Sequence, residues 1–187
     1  MSFENTSLFK LLEETVLKPF DCGDDDLNDF LFNKSKPYHK DLLATTFIIE
    51  NEERTIGYFS IFNDSVRIED LHLASTSATK SFLKKILPFK KRHLRYYPAI
   101  KIGRLGVCDT AKGQGLGKDI VSYVISMAID NNKHCACKFI TVDAYSQSLK
   151  FYEKMGFNYF SQKDQGDDTR QMYLDLTPIV NADNQDA

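Results

Sequence analysis

The sequence lacks the segments that would direct it out of the cytoplasm or into a membrane. No apolar run approaches the ~18 residues that a spanning helix needs. Residues 1–18 mix Glu, Asn and Lys into their apolar positions, so they do not form an uninterrupted signal-peptide core. Cysteine is scarce, with four among 187 residues. These features predict a cytoplasmic protein with reduced thiols and without a membrane segment.

The sequence also has little net charge, and it shows no internal repeat and no sign of a second domain. The formal charge of -2 excludes a global attraction to nucleic acid or to an anionic membrane. The chain is 42% hydrophobic and holds 14 Phe and 9 Tyr, enough to build one ordinary core. We predict a single domain over residues 1–177 and a disordered polar tail over residues 178–187.

Two clusters could suggest a metal, and neither has the required spacing. The acidic run Asp21–Asp26 does not follow the EF-hand pattern. The His134–Cys137 segment has no second Cys/His pair of suitable spacing. We therefore predict no metal site. The aspartates are expected at a helix N-terminus, and Cys135 and Cys137 at the start of a buried strand.

Patterning in the first half predicts a strand, a helix and a hairpin. Apolar residues within Phe9–Phe20 indicate an opening strand. Leu27, Phe30 and Leu31 then recur at helical spacing. Two β-branched and aromatic runs, Ala44–Glu50 and Ile56–Phe62, flank a polar turn and predict a β-hairpin.

The second half alternates strands with helices, which predicts an α/β fold. The predicted strands are Ile100–Cys108, Phe139–Ala144, Phe157–Ser161 and Met172–Leu176. A helix with one apolar face is predicted over Leu116–Asp130. A shorter helix over Gln147–Met155 is stopped by Gly156, which suits a left-handed C-cap.

A glycine-rich loop joins the predicted strand Ile100–Cys108 to the helix that follows it. Its glycines allow close approach of a ligand, and the helix N-terminus adds positive charge, so the turn suits a pyrophosphate. The spacing of Gly113, Gly115 and Gly117 does not fit the Rossmann fingerprint. A Walker A loop is excluded because Asp119 follows Lys118.

The same loop resembles the acyl-CoA pyrophosphate loop of the GNAT superfamily of N-acetyltransferases, whose pattern is Gln/Arg-x-x-Gly-x-Gly/Ala. Gly115 and Gly117 take the two glycine positions, and Lys112 stands where Gln or Arg is usual. About 40 residues on, Leu149–Phe157 resembles the second family signature, Tyr-Glu-Lys-x-Gly-Phe. Tyr145 departs from the family, since many members carry there an Asn that holds the cofactor arm.

This resemblance implies a GNAT fold, in which helices flank a central mixed, mostly antiparallel sheet that splays at the acyl-CoA site. It implies acetyl-CoA as co-substrate and direct acetyl transfer to a primary amine through a tetrahedral intermediate. The residues implicated in holding the cofactor are Leu105, Gly106, Val107, Lys112, Gly113, Gln114, Gly115, Leu116, Gly117 and Lys118.

The resemblance also implies catalytic roles. A backbone N–H near Val107 would polarise the thioester carbonyl, and Tyr152 would protonate the departing thiolate. The general base is open, with Asp109 and Glu153 as candidates by position alone. Cys108 is expected to pack at the strand end, because direct transfer needs no covalent enzyme intermediate.

Three functions stay open at this point: transfer to an unspecified amine, a toxin, and a non-catalytic acyl-CoA sensor. Segments Phe20–Leu31, Thr45–Thr46, Gly57–Tyr58 and Tyr97–Leu105 resemble GNAT toxins of toxin–antitoxin pairs, which acetylate the amino group of aminoacyl-tRNA. That resemblance implies tRNA and an antitoxin as partners, and a homodimer is a further expectation. The basic, aromatic-interleaved segment Lys80–Arg95 would then contact phosphates. Its alternative is an ordinary solvated lysine-rich helix.

Overall fold

The computed structural model describes residues 6–69, 75–86, 94–161 and 164–183. Within these ranges the fold is mixed α/β, with seven strands in one sheet of order β1-β2-β3-β4-β5-β7-β6. The strands are β1 (Ser7–Lys10), β2 (Thr45–Glu50), β3 (Thr55–Arg67), β4 (Tyr96–Val107), β5 (Phe139–Tyr145), β6 (Asn158–Tyr159) and β7 (Thr169–Asp175). The helices are α1 (Asp25–Asp29), α2 (Ser35–Lys40), α3 (Thr76–Ile86), α4 (Leu116–Asn131), α5 (Leu149–Lys154) and α6 (Thr177–Asp183).

The sheet is largely antiparallel. The pairs β1–β2, β2–β3, β5–β7 and β6–β7 all run antiparallel. The predicted hairpin is confirmed, with Ile48 opposite Tyr58. Its second strand continues to Arg67, beyond the predicted end at Phe62. The strand before the glycine loop begins at Tyr96, four residues before the prediction.

The chain divides into two compact units, and each has its own core. The first unit contains Met1–Asn63 with Ile102–Val124, and the second contains Asp64–Lys101 with Ile125–Ala187. The first core holds Leu11, Phe20, Cys22, Phe30, Leu31, Ile48, Tyr58 and Cys108. The second core holds Val66, Leu83, Ile86, Tyr97, Ala99, Phe139, Phe160 and Tyr173. Seven of the aromatic residues counted in the sequence lie in these two cores.

The acidic run caps a helix, as predicted. Asp24 has an extended backbone at the N-cap of α1, and its carboxylate accepts a hydrogen bond from the N–H of Leu27 at 3.0 Å. Such a cap is typically worth about 1 kcal/mol. A five-residue π-helix, Phe30–Lys34, joins α1 to α2 and buries Phe30 and Leu31.

Three sequence predictions are wrong about where a strand, or the ordered part of the chain, begins or ends. The opening strand ends at Lys10 rather than Phe20, because the N–H and carbonyl of Leu12 bond to Thr15 in a turn. Cys135 is exposed and Cys137 precedes β5, so neither cysteine opens a strand. The predicted disordered tail contains α6, where Asp175 accepts from the N–H of Thr177 and Pro178 stands in the first turn. Residues 184–187 lie outside the described residues.

Candidate active site

The end of β4 is packed from one side by aromatic rings. A Cβ added to Gly106 would lie 2.7 Å from Cε1 of Tyr58 and 3.0 Å from Cζ of Phe20. Leu105 and Val107, on either side of Gly106, are each half-buried. Gly106 therefore serves the packing of β4 on the first core. Its contact with the cofactor stays a prediction.

The loop after β4 is held by a short 3-10 turn, Asp109–Ala111. The N–H of Cys108 bonds to the carbonyl of Ile56 at 2.9 Å, and the N–H of Asp109 bonds to the carbonyl of Asp21 at 3.1 Å. The amide of Gln114 donates to the carbonyl of Thr110 at 2.8 Å. The start of the loop is thus anchored to two other segments of the first unit.

Lys112 occupies the position where the family pattern has Gln or Arg. Its ammonium donates to the Asp109 carboxylate at 2.6 Å and to the carbonyl of Cys22 at 2.7 Å. The hydrogen bond with Asp109 raises the pKa of Lys112 above its ordinary value. One of its three donors therefore fastens the loop to Cys22, a second bonds to Asp109 at the start of the loop, and the third can serve a ligand.

Beyond Lys112 the loop opens to solvent. Gly113 and Gly115 have φ angles of +75° and +91°, in the region that L side chains rarely adopt. A Cβ at either position would meet nothing within 4 Å. Residues 112–115 and Lys118 are exposed, whereas Leu116 and Ile120 are buried and fix the first turn of α4. Gly117 lies within that turn.

These features make the loop an open anion cradle. Its left-handed glycines turn the backbone without a side chain in the space above, and the positive end of a sixteen-residue helix follows directly. The cofactor residues Leu105–Lys118 all belong to the first unit. Their contact with a cofactor stays a prediction.

Tyr152 belongs to the second unit and lies on α5. It is 5% exposed, and its ring makes edge contacts with Phe151 and Phe157. Gly156, at φ +87°, reverses the chain so that the N–H of Phe157 bonds to the carbonyl of Tyr152 at 3.0 Å. Burial raises the pKa of Tyr152. Its phenol therefore stays protonated at neutral pH, as a proton donor must.

The two candidates for the general base are both engaged. Asp109 holds the ion pair with Lys112 at 2.6 Å. Glu153 accepts a hydrogen bond from the hydroxyl of Tyr159 at 2.7 Å. Within the described residues, position along the chain is therefore the only argument for either carboxylate as the base.

Cys108 is buried at the end of β4, as predicted, and it borders a cavity of about 290 Å³. The cavity is lined by Pro19, Phe20, Asp21, Arg54, Cys108, Asp109 and Thr110. Burial acts to raise the pKa of the thiol, but hydrogen bonds with Thr110, Asp21 and Arg54 outweigh it and lower the pKa. Sequence reasoning missed this cavity, because Arg54 is distant from Cys108 along the chain.

The basic segment Lys80–Arg95 is described only in part. Lys80 and Lys84 are exposed on α3, and Arg95 is exposed before β4. Lys85 lies on α3, whereas Lys90, Lys91, Arg92 and His93 lie outside the described residues. The described aromatic residues do not form a stacking surface, because Phe82 packs on Phe160 and Tyr173, and Tyr97 on Phe139. Tyr96 is half exposed and bonds to Arg67.

Among the residues that the structure describes, no group of three or more His, Cys, Asp or Glu side chains has the arrangement of a metal site. No helix in residues 6–69, 75–86, 94–161 or 164–183 combines the length and apolarity that a membrane crossing needs.

Comparisons with known proteins give one family-model match and several similar structures. Residues 91–173 match the family model described as an acetyltransferase (GNAT) domain. No curated protein sequence matches the chain. A crystal structure of a tyrosine-to-phenylalanine variant of KacT is 19% identical, with a TM-score of 0.75, over 96% of this chain and 99% of that one.

Two structures of AtaT are also similar. A tyrosine-to-phenylalanine variant of this toxin, bound to the C-terminus of the antitoxin AtaR and to acetyl-CoA, is 17% identical with a TM-score of 0.72. The alignment covers 97% of this chain and 100% of that one. AtaT complexed with acetyl-methionyl-tRNAfMet is 18% identical with a TM-score of 0.72, over 95% and 98% of the two chains. Residues 91–173 thus match the GNAT acetyltransferase domain, and the chain as a whole shares the fold of these proteins.

Proposed function

We propose that this chain transfers the acetyl group of acetyl-CoA to the amino group of aminoacyl-tRNA, as a cytoplasmic GNAT toxin. The observation that carries the acetyl-CoA half is the open glycine loop at the N-terminus of α4. Gly113 and Gly115 leave free space where any other residue would place a Cβ. A pyrophosphate fits that space, because backbone N–H groups and the helix dipole both favour an anion there.

The residues divide the chemistry between binding and proton transfer. The loop from Lys112 to Lys118 holds the pyrophosphate, and Leu105 and Val107 offer backbone N–H groups to the pantetheine arm. The N–H near Val107 polarises the thioester carbonyl as the amine attacks. Tyr152, which is protonated at neutral pH, gives its proton to the departing thiolate.

Two observations support aminoacyl-tRNA as the acceptor. AtaT, whose fold this chain shares, has been solved with acetyl-methionyl-tRNAfMet. Lys80, Lys84 and Arg95 offer exposed cations that can neutralise phosphates. An antitoxin partner is part of the proposal, since AtaT also binds AtaR. A homodimer stays a prediction.

Incubation with labelled acetyl-CoA tests the acceptor. Charged tRNA, uncharged tRNA, small amines and protein pools are offered as acceptors in parallel. We expect label only in the aminoacyl group of the charged tRNA. Label confined to small amines or proteins would overturn the tRNA assignment. Label in no pool, together with tight acetyl-CoA binding, would instead favour the non-catalytic sensor.

The exposed lysines of α3 give a second test. Each phosphate contact changes the log–log slope of RNA affinity against salt by about 0.7 to 0.9. Replacing Lys80 and Lys84 with Gln should flatten the slope by that amount per contact, while acetyl-CoA affinity stays unchanged. The double variant at Lys133 and Lys150, also exposed, removes the same charge and serves as control. Equal slopes for both double variants would exclude α3 from the RNA interface.

A further inference from the structure

Arg104 lies on β4, and its guanidinium is only partly used by its neighbours. One terminal nitrogen, Nη1, donates to the carbonyl of Gly103 at 2.7 Å. The other, Nη2, lies 3.8 Å from Oδ2 of Asp26, beyond hydrogen-bonding distance. The third nitrogen, Nε, is buried and has no hydrogen-bond partner among the described residues.

The unused nitrogens form one edge of the guanidinium. Nε and Nη2 carry parallel N–H groups that match the paired oxygens of a phosphate or carboxylate. The ring of Phe30 lies 5.1 Å from the guanidinium carbon and supports the plane. Because a buried N–H without a partner is costly, the arrangement favours an oxygen ligand at this edge.

Asp26 stands beside that edge as a weak competitor. The side chains of Asp26 and Arg104 are 54% and 37% exposed. Ion pairs at such exposed positions contribute little to stability. Asp26 belongs to the first turn of α1, so its carboxylate can give way to a better oxygen pair. A phosphate oxygen would take the place that Oδ2 now holds near Nη2, and a second oxygen would reach Nε.

The position of Arg104 along β4 relates this edge to the reaction. Three residues of strand, ~10 Å at ~3.3 Å per residue, separate Arg104 from Val107. In an aminoacyl-tRNA, the ester and one ribose separate the reactive amine from the nearest phosphodiester. A phosphate at Arg104 is therefore at a suitable distance from an amine that attacks near Val107. This step rests on the proposed function.

We propose that the Nε–Nη2 edge of Arg104 binds the phosphodiester on the 5′ side of the terminal nucleoside of the acceptor and that Asp26 only stands beside this edge until the acceptor arrives. Arg104 is thus a specificity residue that separates nucleotide-linked amines from neutral amines. Its role is distinct from those of the pyrophosphate loop and Tyr152.

Two acceptors that differ by one phosphate test the proposal. One is an aminoacylated trinucleotide, and the other is the same aminoacyl group on adenosine without a 5′-phosphate. With the wild-type chain we expect a lower KM for the trinucleotide. Arg104→Gln should raise that KM by about 10- to 100-fold. The KM for aminoacyl-adenosine and the affinity for acetyl-CoA should not change.

Asp26→Asn separates ligand binding from a structural role. If Asp26 competes with the phosphate, its removal lowers the KM for the trinucleotide by about two- to fivefold. If the pair only holds α1 on β4, Asp26→Asn raises the KM for both acceptors and lowers the melting temperature, and the proposal is overturned. Asp143→Asn, which removes a carboxylate from the β4 cation Lys101, is the matched control and should change neither KM.

The wild-type measurements distinguish failure of this inference from failure of the proposed function. Acetylation of both acceptors with equal KM would overturn the role of Arg104 while the proposed function stands. Acetylation of neither acceptor would overturn both.

Discussion

The two family signatures lie in opposite physical environments. The loop of residues 112–115 is exposed, and its glycines face open space. Tyr152, in the second signature, is 5% exposed and enclosed by aromatic rings. In the proposed function, the first signature acts through its backbone and the absence of side chains, whereas the second acts through one side chain that packing holds in place.

This difference predicts how each signature fails. A loop built from backbone donors tolerates changes in its exposed side chains but not a group that fills the ligand space. A buried proton donor tolerates loss of its hydroxyl without loss of structure, because the ring still fills its site. Binding and turnover should therefore separate cleanly between the two regions.

The largest expected effect is at Gly115. Gly115→Glu places a carboxylate in the pyrophosphate space, so acetyl-CoA binding should be abolished in calorimetry on the folded variant. Gly166→Glu is the matched control, because Gly166 also has a positive φ, +103°, and open space around its Cβ position. Retained affinity in the Gly115 variant would refute the proposed cradle.

Next in size is Tyr152→Phe. Loss of the proton donor should lower turnover by roughly 10²-fold while acetyl-CoA affinity is kept. Tyr159→Phe, which removes an exposed hydroxyl bonded to Glu153, serves as control. Burial raises the pKa of Tyr152 above 10, the ordinary pKa of a tyrosine. The wild-type kcat should therefore show no fall near pH 10 from ionisation of this phenol. Unchanged turnover would leave Tyr152 as a packing residue.

The smallest expected effects are at two glycines whose backbone has a positive φ, Gly156 and Gly113. Gly156→Ala and Gly113→Ala should each lower the free energy of unfolding by about 1 to 2 kcal/mol, measured by urea denaturation, since both positions have positive φ. Only Gly113→Ala should also weaken acetyl-CoA binding. If Gly156→Ala weakened it equally, the assignment of binding to the loop alone would be wrong.

Much of the fold followed from local patterns. The hairpin, the strand before the glycine loop and the start of α4 at Leu116 agree with the periodicity of their residues. Predictions were poorer at the limits of elements, where a single hydrogen bond to a side chain can end a strand or start a helix. The strand predicted to Phe20 ends at the Leu12–Thr15 turn, and α6 begins at Thr177, whose N–H bonds to Asp175, just before the residues predicted to be disordered.

The candidate site divides in the same way. The loop glycines and Tyr152 were predicted from sequence, because their spacing along the chain resembles a family pattern. Arg104 was not predicted, since its proposed role depends on the distances to Asp26 and Gly103 and on the burial of its Nε. No sequence pattern reports an unpaired edge of a guanidinium.

The sequence by itself determined the family resemblance and the position of the glycine loop, because both depend on residue types at short, fixed spacing. Tertiary structure alone decided which cations and carboxylates are already engaged. Lys112 is tied to Cys22 and Asp109, and Glu153 is bonded to Tyr159. It also decided that Phe82 and Tyr97 belong to a core rather than to an exposed surface. The physical reason is that hydrogen bonds and burial depend on which distant segments folding brings together.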